Sequence, residues 1–257
     1  MRKPATMILA ALAAANLWAI QGTITTETDS KTGEIKWQAR NRQYVVSIKN
    51  KSGTAIDMEF KLADVLKLDI AKPAGYDKAV EMVEKGQGAA AIPILSKIVS
   101  EYRMLQWDKP AGRHLALAYI AADQAQKAYD ACMAIIAEDK SAAYSGDLAY
   151  AYWQSLLKLG KTEQLEANLK KAATSGDRQS SASALVMRGD MIVQKCNDAA
   201  DGLKQALRDG YLRVVLMYND PECRRERAEA MLKAAACFDK LGQSARAERL
   251  RAQAKDA

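Results

Sequence analysis

Two glycines, Gly86 and Gly88, head the apolar run VEKGQGAAAIPILSKIVSEY at residues 83–102. A glycine-rich loop can cradle a phosphate on its backbone N–H groups, but such a loop follows a strand and ends in Gly-Lys-Ser/Thr. Here helical periodicity precedes the glycines and Ile92-Pro93-Ile94 follows. The stretch therefore reads as the elbow between two helices. Gly86 ends the first, where a left-handed backbone suits glycine. Pro93 lacks an N–H and belongs in the first turn of the second helix, which is expected to begin near Ala89 or Ala90.

Other reactive side chains offer little chemistry. His114 is the sole histidine. Nucleophile–histidine catalysis would have to use it, and no serine or cysteine lies on a recognisable elbow. Asp147 and Asp190 could meet in space, yet single acids near helix starts also serve as caps or solvated groups. The four cysteines, Cys132, Cys196, Cys223 and Cys237, contain no Cys-x-x-Cys spacing, so neither a zinc site nor a redox motif is suggested. Cys132 and Cys237 fit apolar helical patterns as buried free thiols. Cys196 and Cys237 are also the pair that could bridge, if their Cα atoms lie within about 7 Å. The expectation is a protein without catalysis, metal or cofactor.

What positions these residues begins with an address. MRKPATMILAALAAANLWAIQG has a basic start, a short apolar middle and small residues near Ala13-Ala14-Ala15. That is the build of a secretory signal, cut after Ala15 or Ala19. The apolar run is shorter than the ~20 residues that span a bilayer. The mature chain is expected to be exported, periplasmic or in the cell envelope, with no membrane span. A net charge of +7 over 257 residues, dispersed along the chain, does not suggest a nucleic-acid partner.

From Gly22 to Ile70 the apolar residues alternate. Ile35, Trp37 and Ala39 share a face, as do Tyr44, Val46 and Ile48, then Ile56, Met58 and Phe60, then Leu66, Leu68 and Ile70. Period two marks half-buried strands. Turn chemistry separates them at DSKTG, NKSG and Ala63-Asp64. Five short strands are predicted, with ADVLKLDI closing on the first. The layout resembles SH3-like and Sm-like barrels. Sm-like barrels often bind RNA, which an exported chain seldom meets.

After the linker AKPAGYDK the periodicity is helical to the end. Turn residues recur at Gly86, Asp123, Gly160, near Cys196, and at Gly242. A period in the thirties with a helix on each side of every turn means a stack of helical hairpins. Ala116 with Ala128 and Ala235 with Ala247 are small residues placed where paired helices touch. Tyr119 and Phe238 stand four before their turns. On these residues the chain resembles the tetratricopeptide repeat family, with departures: a longer period, Trp153 and Leu165 at small positions, and a stretched fourth unit at Arg208–Glu222.

The predicted protein is thus mainly α: a helical-hairpin, tetratricopeptide-like α-solenoid preceded by a small five-stranded β barrel-like module. Residues 1–19 are the signal, 20–72 the β module and 73–257 the repeats. The resemblance implies a groove lined by the first helix of each hairpin that grips a protein or peptide of the envelope. Carried over by frame, the groove residues are Arg113, Leu117, Asp147, Tyr150, Gln154, Asp190 and Glu229. Tyr150 and Gln154 should face the groove, so that Tyr150→Ala costs binding with little loss of fold. Ala149, Trp153 and Leu156 should face neighbouring helices. The alternatives are a solute- or glycan-binding envelope protein, or a hydrolase built on the array.

Overall fold

The computed structural model describes residues 20–50 and 53–255. The expected signal segment, 1–19, lies outside the described residues. Contacts divide the chain into two compact units between Ala71 and Lys72.

In the first unit, β1 (Ile20–Thr25), β2 (Ser30–Gln38), β3 (Gln43–Lys49), β4 (Ala55–Lys61) and β5 (Lys67–Ile70) form one antiparallel sheet in the order β4-β3-β2-β1-β5. The last strand does return to the first, with Gly22 opposite Ile70. Period two decides the buried side. Ile35 stands opposite Val46 and Trp37 opposite Tyr44, and all four are buried together with Ile24 and Ile70. The Trp37 and Tyr44 ring centroids are 4.9 Å apart.

Alternation overstated burial at the edges. Ile56 on β4 is 54% exposed and Leu66, just before β5, 65%. An edge strand has a neighbour on one side only, so its apolar residues find less cover. β4 and β5 are those edges, and no ladder joins them among the described residues, so the expected barrel is not closed by hydrogen bonds. Ala63-Asp64 also differs from the tight turn expected: Leu62–Asp64 is a 3-10 turn.

The second unit is a run of helical hairpins. They pair α1 (Tyr76–Glu84) with α2 (Gly88–Glu101), α3 (Asp108–Ala121) with α4 (Ala125–Ile136), and α5 (Asp147–Lys158) with α6 (Thr162–Ala173). Next, α7 (Arg178–Cys196) pairs with a segment made of α8 (Ala200–Ala206), a π-helical stretch (Leu207–Tyr211) and α9 (Leu212–Met217). Last come α10 (Arg224–Lys240) and α11 (Ser244–Lys255).

One local device makes four of the turns. Gly86, Asp123, Gly160 and Gly242 sit at φ 76°, 57°, 68° and 70°. In each case the turn N–H donates to the carbonyl three residues back, and the next N–H to the carbonyl five back: Gly86 to Val83, Gln87 to Met82, and so on. That pattern satisfies carbonyls a helix end leaves open. Gly86 therefore closes a helix, as an elbow requires. The fourth turn falls on Asn197 and Asp198, at φ 43° and 64°, one residue later than the sequence reading, because Cys196 completes α7.

Pro93 is misplaced in the sequence reading. The helix begins at Gly88, earlier than expected, so Pro93 lies beyond its first turn. Gly88 is held there by packing: a Cβ on it would lie 3.1 Å from the Ala118 Cα. Pro93 is exposed, so water can reach the carbonyl that its missing N–H leaves unbonded.

Small residues seven before and five after the turns make the close contacts. Ala79 and Ala91, Ala116 and Ala128, and Ala235 and Ala247 are all fully buried. The third hairpin uses Trp153 and Leu165 there, also fully buried. The fourth uses glycines instead: a Cβ on Gly210 would lie 2.7 Å from the Gly189 Cα. The π-helical stretch absorbs the extra residues of this unit and brings Gly210 against α7.

All four cysteines are free thiols, which corrects the suggested Cys196–Cys237 bridge. Cys196 is turned toward its own hairpin. A Cβ on Gly202 would meet its Cβ at 2.1 Å, and its Sγ donates to the Val193 carbonyl at 3.4 Å. Burial pushes the Cys237 thiol up to about 11, and Cys132 up to about 12. These thiols carry little thiolate at neutral pH, and the thiolate is the reactive form.

Candidate functional site

First helices lie side by side: α1 on α3, α3 on α5, α5 on α7 and α7 on α10. Their shared inner face carries polar side chains in a region otherwise built of alanine and leucine. Tyr150 on α5 is at its centre. Its hydroxyl donates to Glu229 on α10 and accepts from Lys233 at 3.1 Å. Lys233 also pairs with Asp190 on α7, at 2.5 Å, and with Glu229, one turn back on its own helix, at 3.2 Å. The Tyr211 hydroxyl, from the π-helical stretch, donates to Asp190 at 2.7 Å. Three consecutive first helices are thereby tied by one network. Tyr150 spans from the third hairpin to the fifth, and its hydroxyl lies 3.4 Å from Asp190 of the fourth.

The electrostatics follow from burial. Tyr150 and Tyr211 are pushed well above the usual phenol range, first by desolvation and then by the carboxylates beside them. Asp190 is raised by burial, against the opposing pull of Lys233 and the Tyr211 hydrogen bond. Satisfied networks of this kind rigidify a fold, because each unpaired member would be costly in a low-dielectric interior.

One end of the inner face is not satisfied. Arg113 on α3 has a buried Nε with no hydrogen-bond partner, and His114 beside it a buried Nδ1 in the same state. Burial lowers the Arg113 pKa, and the neighbouring Arg225 lowers it further, while Asp147, Glu226 and Glu229 act the other way. Arg225 is itself paired with Glu226. Thus a half-buried guanidinium stands within the field of several charges, its buried Nε bonded to none of the described residues.

Of the seven residues named from sequence, the structure brings six together on this face. Arg113, Asp147, Tyr150, Asp190 and Glu229 influence one another electrostatically, and Gln154 hydrogen-bonds Tyr150. Leu117 instead packs partly into the core. Ala149, Trp153 and Leu156 are buried, as the frame predicted. The expectation that Tyr150→Ala spares the fold is corrected: Tyr150 is only 9% exposed, and its hydroxyl is committed within the network. The informative variant is Tyr150→Phe. It keeps the ring and should cost about 0.5–1.5 kcal/mol by removing the shared hydrogen bonds, read from the denaturant midpoint.

Sequence reasoning missed Lys233, Tyr211, Arg225 and Glu226. Lys233 was detectable as the i+4 partner of Glu229 on a helix. Tyr211 was not, since its inward path depends on the π-helical stretch.

His114 sits edge-on to Tyr76, with ring centroids 6.0 Å apart. Burial first, and the Arg113 charge second, depress its pKa to about 4. The unfolded chain protonates it near 6.5. A depressed pKa means that the stabilising contribution is present above about 6.5 and is lost as pH falls toward 4. Replacing His114 by Gln should therefore flatten stability between those values relative to the parent protein. Melting temperatures taken at pH 7, 5.5 and 4.5 check this, and an unchanged pH profile would contradict it.

No known protein family matches the chain in sequence, and no curated protein does. Among solved structures, a putative kinesin light chain from Podosopora anserina with nearly identical TPR-like repeats shows 15% identity at a TM-score of 0.41, over 71% of this chain and 92% of that one. MamA (AMB-1) shows 15% identity at 0.37, over 72% and 97%, and MamA (MSR-1) 16% at 0.36, over 71% and 94%. Such values carry no functional inference. The coordinates themselves define the class: a mainly α protein whose hairpins stack in the tetratricopeptide manner, preceded in the chain by a five-stranded antiparallel sheet.

Proposed function

We propose that this is an exported, non-enzymatic scaffold that holds a protein or peptide partner of the cell envelope on the inner face of its hairpin array. The observation that carries the reading is Arg113. A half-buried guanidinium whose Nε has no partner lacks the hydrogen bonds that buried polar groups almost always make. A carboxylate of a bound segment would pair with the part of the half-buried guanidinium that stays accessible, and its charge would offset the cost of the buried Nε. Asp147 and Arg225 beside it would set the register of the bound chain. The network of Tyr150, Asp190, Glu229 and Lys233 supports the floor rather than making the first contact, since its members already satisfy one another.

Partner capture from envelope extracts, followed by titration, tests this. Arg113→Ala should weaken the captured complex by about 1.5–3 kcal/mol, the range for a hydrogen bond to a charged group. The same change should leave the melting temperature of the free protein unchanged or higher, because it removes a half-buried charge that makes no salt bridge among the described residues. Undiminished binding by the variant would refute the assignment. Export is tested separately: protein recovered from the envelope should begin at Asn16 or Ile20, by N-terminal sequencing.

A further inference from the structure

A second face of the hairpin array has the chemistry of a docking groove. An open cleft of about 680 Å³ runs between α6 and α7, with α9 along one side. Leu169, Leu185 and Ile192 are half-buried along its floor. The rim carries Lys170, Arg188, Lys195 and Arg213 against a single carboxylate, Glu166. Glu166 is matched to Lys195 at 3.8 Å. Lys170, Arg188 and Arg213 are exposed and make no salt bridge among the described residues, although Asp209, itself paired with Arg208, lies close enough to feel the Arg188 charge.

The comparable cleft between α2 and α4, floored by α3, is an internal control. Its volume is similar, about 720 Å³. There Arg103 and Lys127 are balanced by Asp130 and Glu138, and Arg103 pairs with Glu138. The positive excess is thus not imposed by the repeat. A neighbouring cleft shares Arg213 and adds Lys204, Arg208 and Arg246, with Leu216 on α9, 74% exposed, in its lining; there Lys204 is paired with Asp201 and Arg208 with Asp209.

We propose that the α6–α7–α9 cleft docks an acidic amphipathic helix of a partner protein. The lining of α7 runs from Ser181 to Lys195, about 21 Å at 1.5 Å per residue, or four helical turns. A helix laid there would put apolar residues at i, i+3, i+4 and i+7 on the floor and carboxylates against the three unpaired cations. Nucleic acid fits less well. Tyr218 is the aromatic ring of this lining, and Arg178 already covers it, 5.0 Å from the ring centroid, so bases find no stacking platform. A flat anionic bilayer cannot fill a concave floor.

The test selects 20-residue peptides from a random display library on the full chain. They are then titrated against wild type, the exposed-residue triple variant Lys170→Glu, Arg188→Glu and Arg213→Glu, and Arg113→Ala. The peptides expected carry Asp and Glu between apolar residues spaced three and four apart. They should bind the triple variant about tenfold more weakly or worse, because like charges now face each other, and should weaken with added salt. Binding to Arg113→Ala should be unchanged, which separates this site from the inner face. Circular dichroism melts confirm that the triple variant is folded. The proposal fails if no peptide is recovered, if recovered peptides lack acidic bias, or if they bind wild type and triple variant equally. It fails equally if phosphatidylglycerol vesicles or single-stranded RNA, run in parallel, bind through these three residues while the peptides do not.

Discussion

Replacing Trp153 by alanine is expected to destabilise the helical unit by about 3–5 kcal/mol, the usual range for emptying a large aromatic site in a core. Trp153 is fully buried at the position where the first, second and fifth hairpins place alanine. The third hairpin is thus built around its bulk, facing Leu165. Its Nε1 also donates to the Ala143 carbonyl at 2.8 Å, so truncation leaves that acceptor without its partner as well as a cavity. For a unit of this size each kcal/mol corresponds to roughly 2–4 °C in Tm. A melt that moves by less than that would show the site collapsing around the void. Leu156, fully buried one turn on, would be the side chain to shift.

The second large effect is expected at Gly210, and its sign is diagnostic. In an isolated helix, glycine to alanine gains up to about 1 kcal/mol. Here an added Cβ would meet the Gly189 Cα at 2.7 Å, the Gly189 nitrogen at 2.8 Å and the Leu185 carbonyl oxygen at 3.0 Å. These are backbone atoms, which cannot rotate aside. Gly210→Ala should therefore cost about 1–3 kcal/mol or more as α7 is forced from the π-helical stretch. Because Tyr211 is the next residue, the same displacement should loosen its hydrogen bond to Asp190. The expected signature is a lower denaturant midpoint, together with faster amide exchange in the middle of α7. A stabilised variant would mean that this crossing is far more yielding than its geometry.

Much of the architecture was legible because it rests on local rules. The hairpin turns at Gly86, Asp123, Gly160 and Gly242 could be placed since a left-handed residue closing a helix leaves a compositional mark. The five strands could be placed since alternation has no other cause over such lengths. Where the reading failed, the deciding interaction was remote. Pro93 lies past the first turn because Gly88 packs on Ala118. Cys196 does not bridge because its side chain is turned toward Gly202. Ile56 is exposed because β4 is an edge, with no strand beyond it among the described residues.

For the inner face, sequence alone placed six of the seven residues it named, while Leu117 packs into the core and Lys233, Tyr211, Arg225 and Glu226 were missed. A helix has a fixed period, and the frame from Arg113 through Asp147, Tyr150 and Asp190 to Glu229 follows once the turns are known. It could not determine which of them are already spent on one another. Only the tertiary structure placed Tyr150 within reach of Glu229 two hairpins on, and brought Tyr211 inward to Asp190. It also left the buried Nε of Arg113 with no partner among the described residues. The physical reason is that hydrogen bonds between side chains depend on ångström-scale distances across helices far apart in sequence, set by how closely each hairpin packs on the next. Residue spacing along one helix carries no record of that packing.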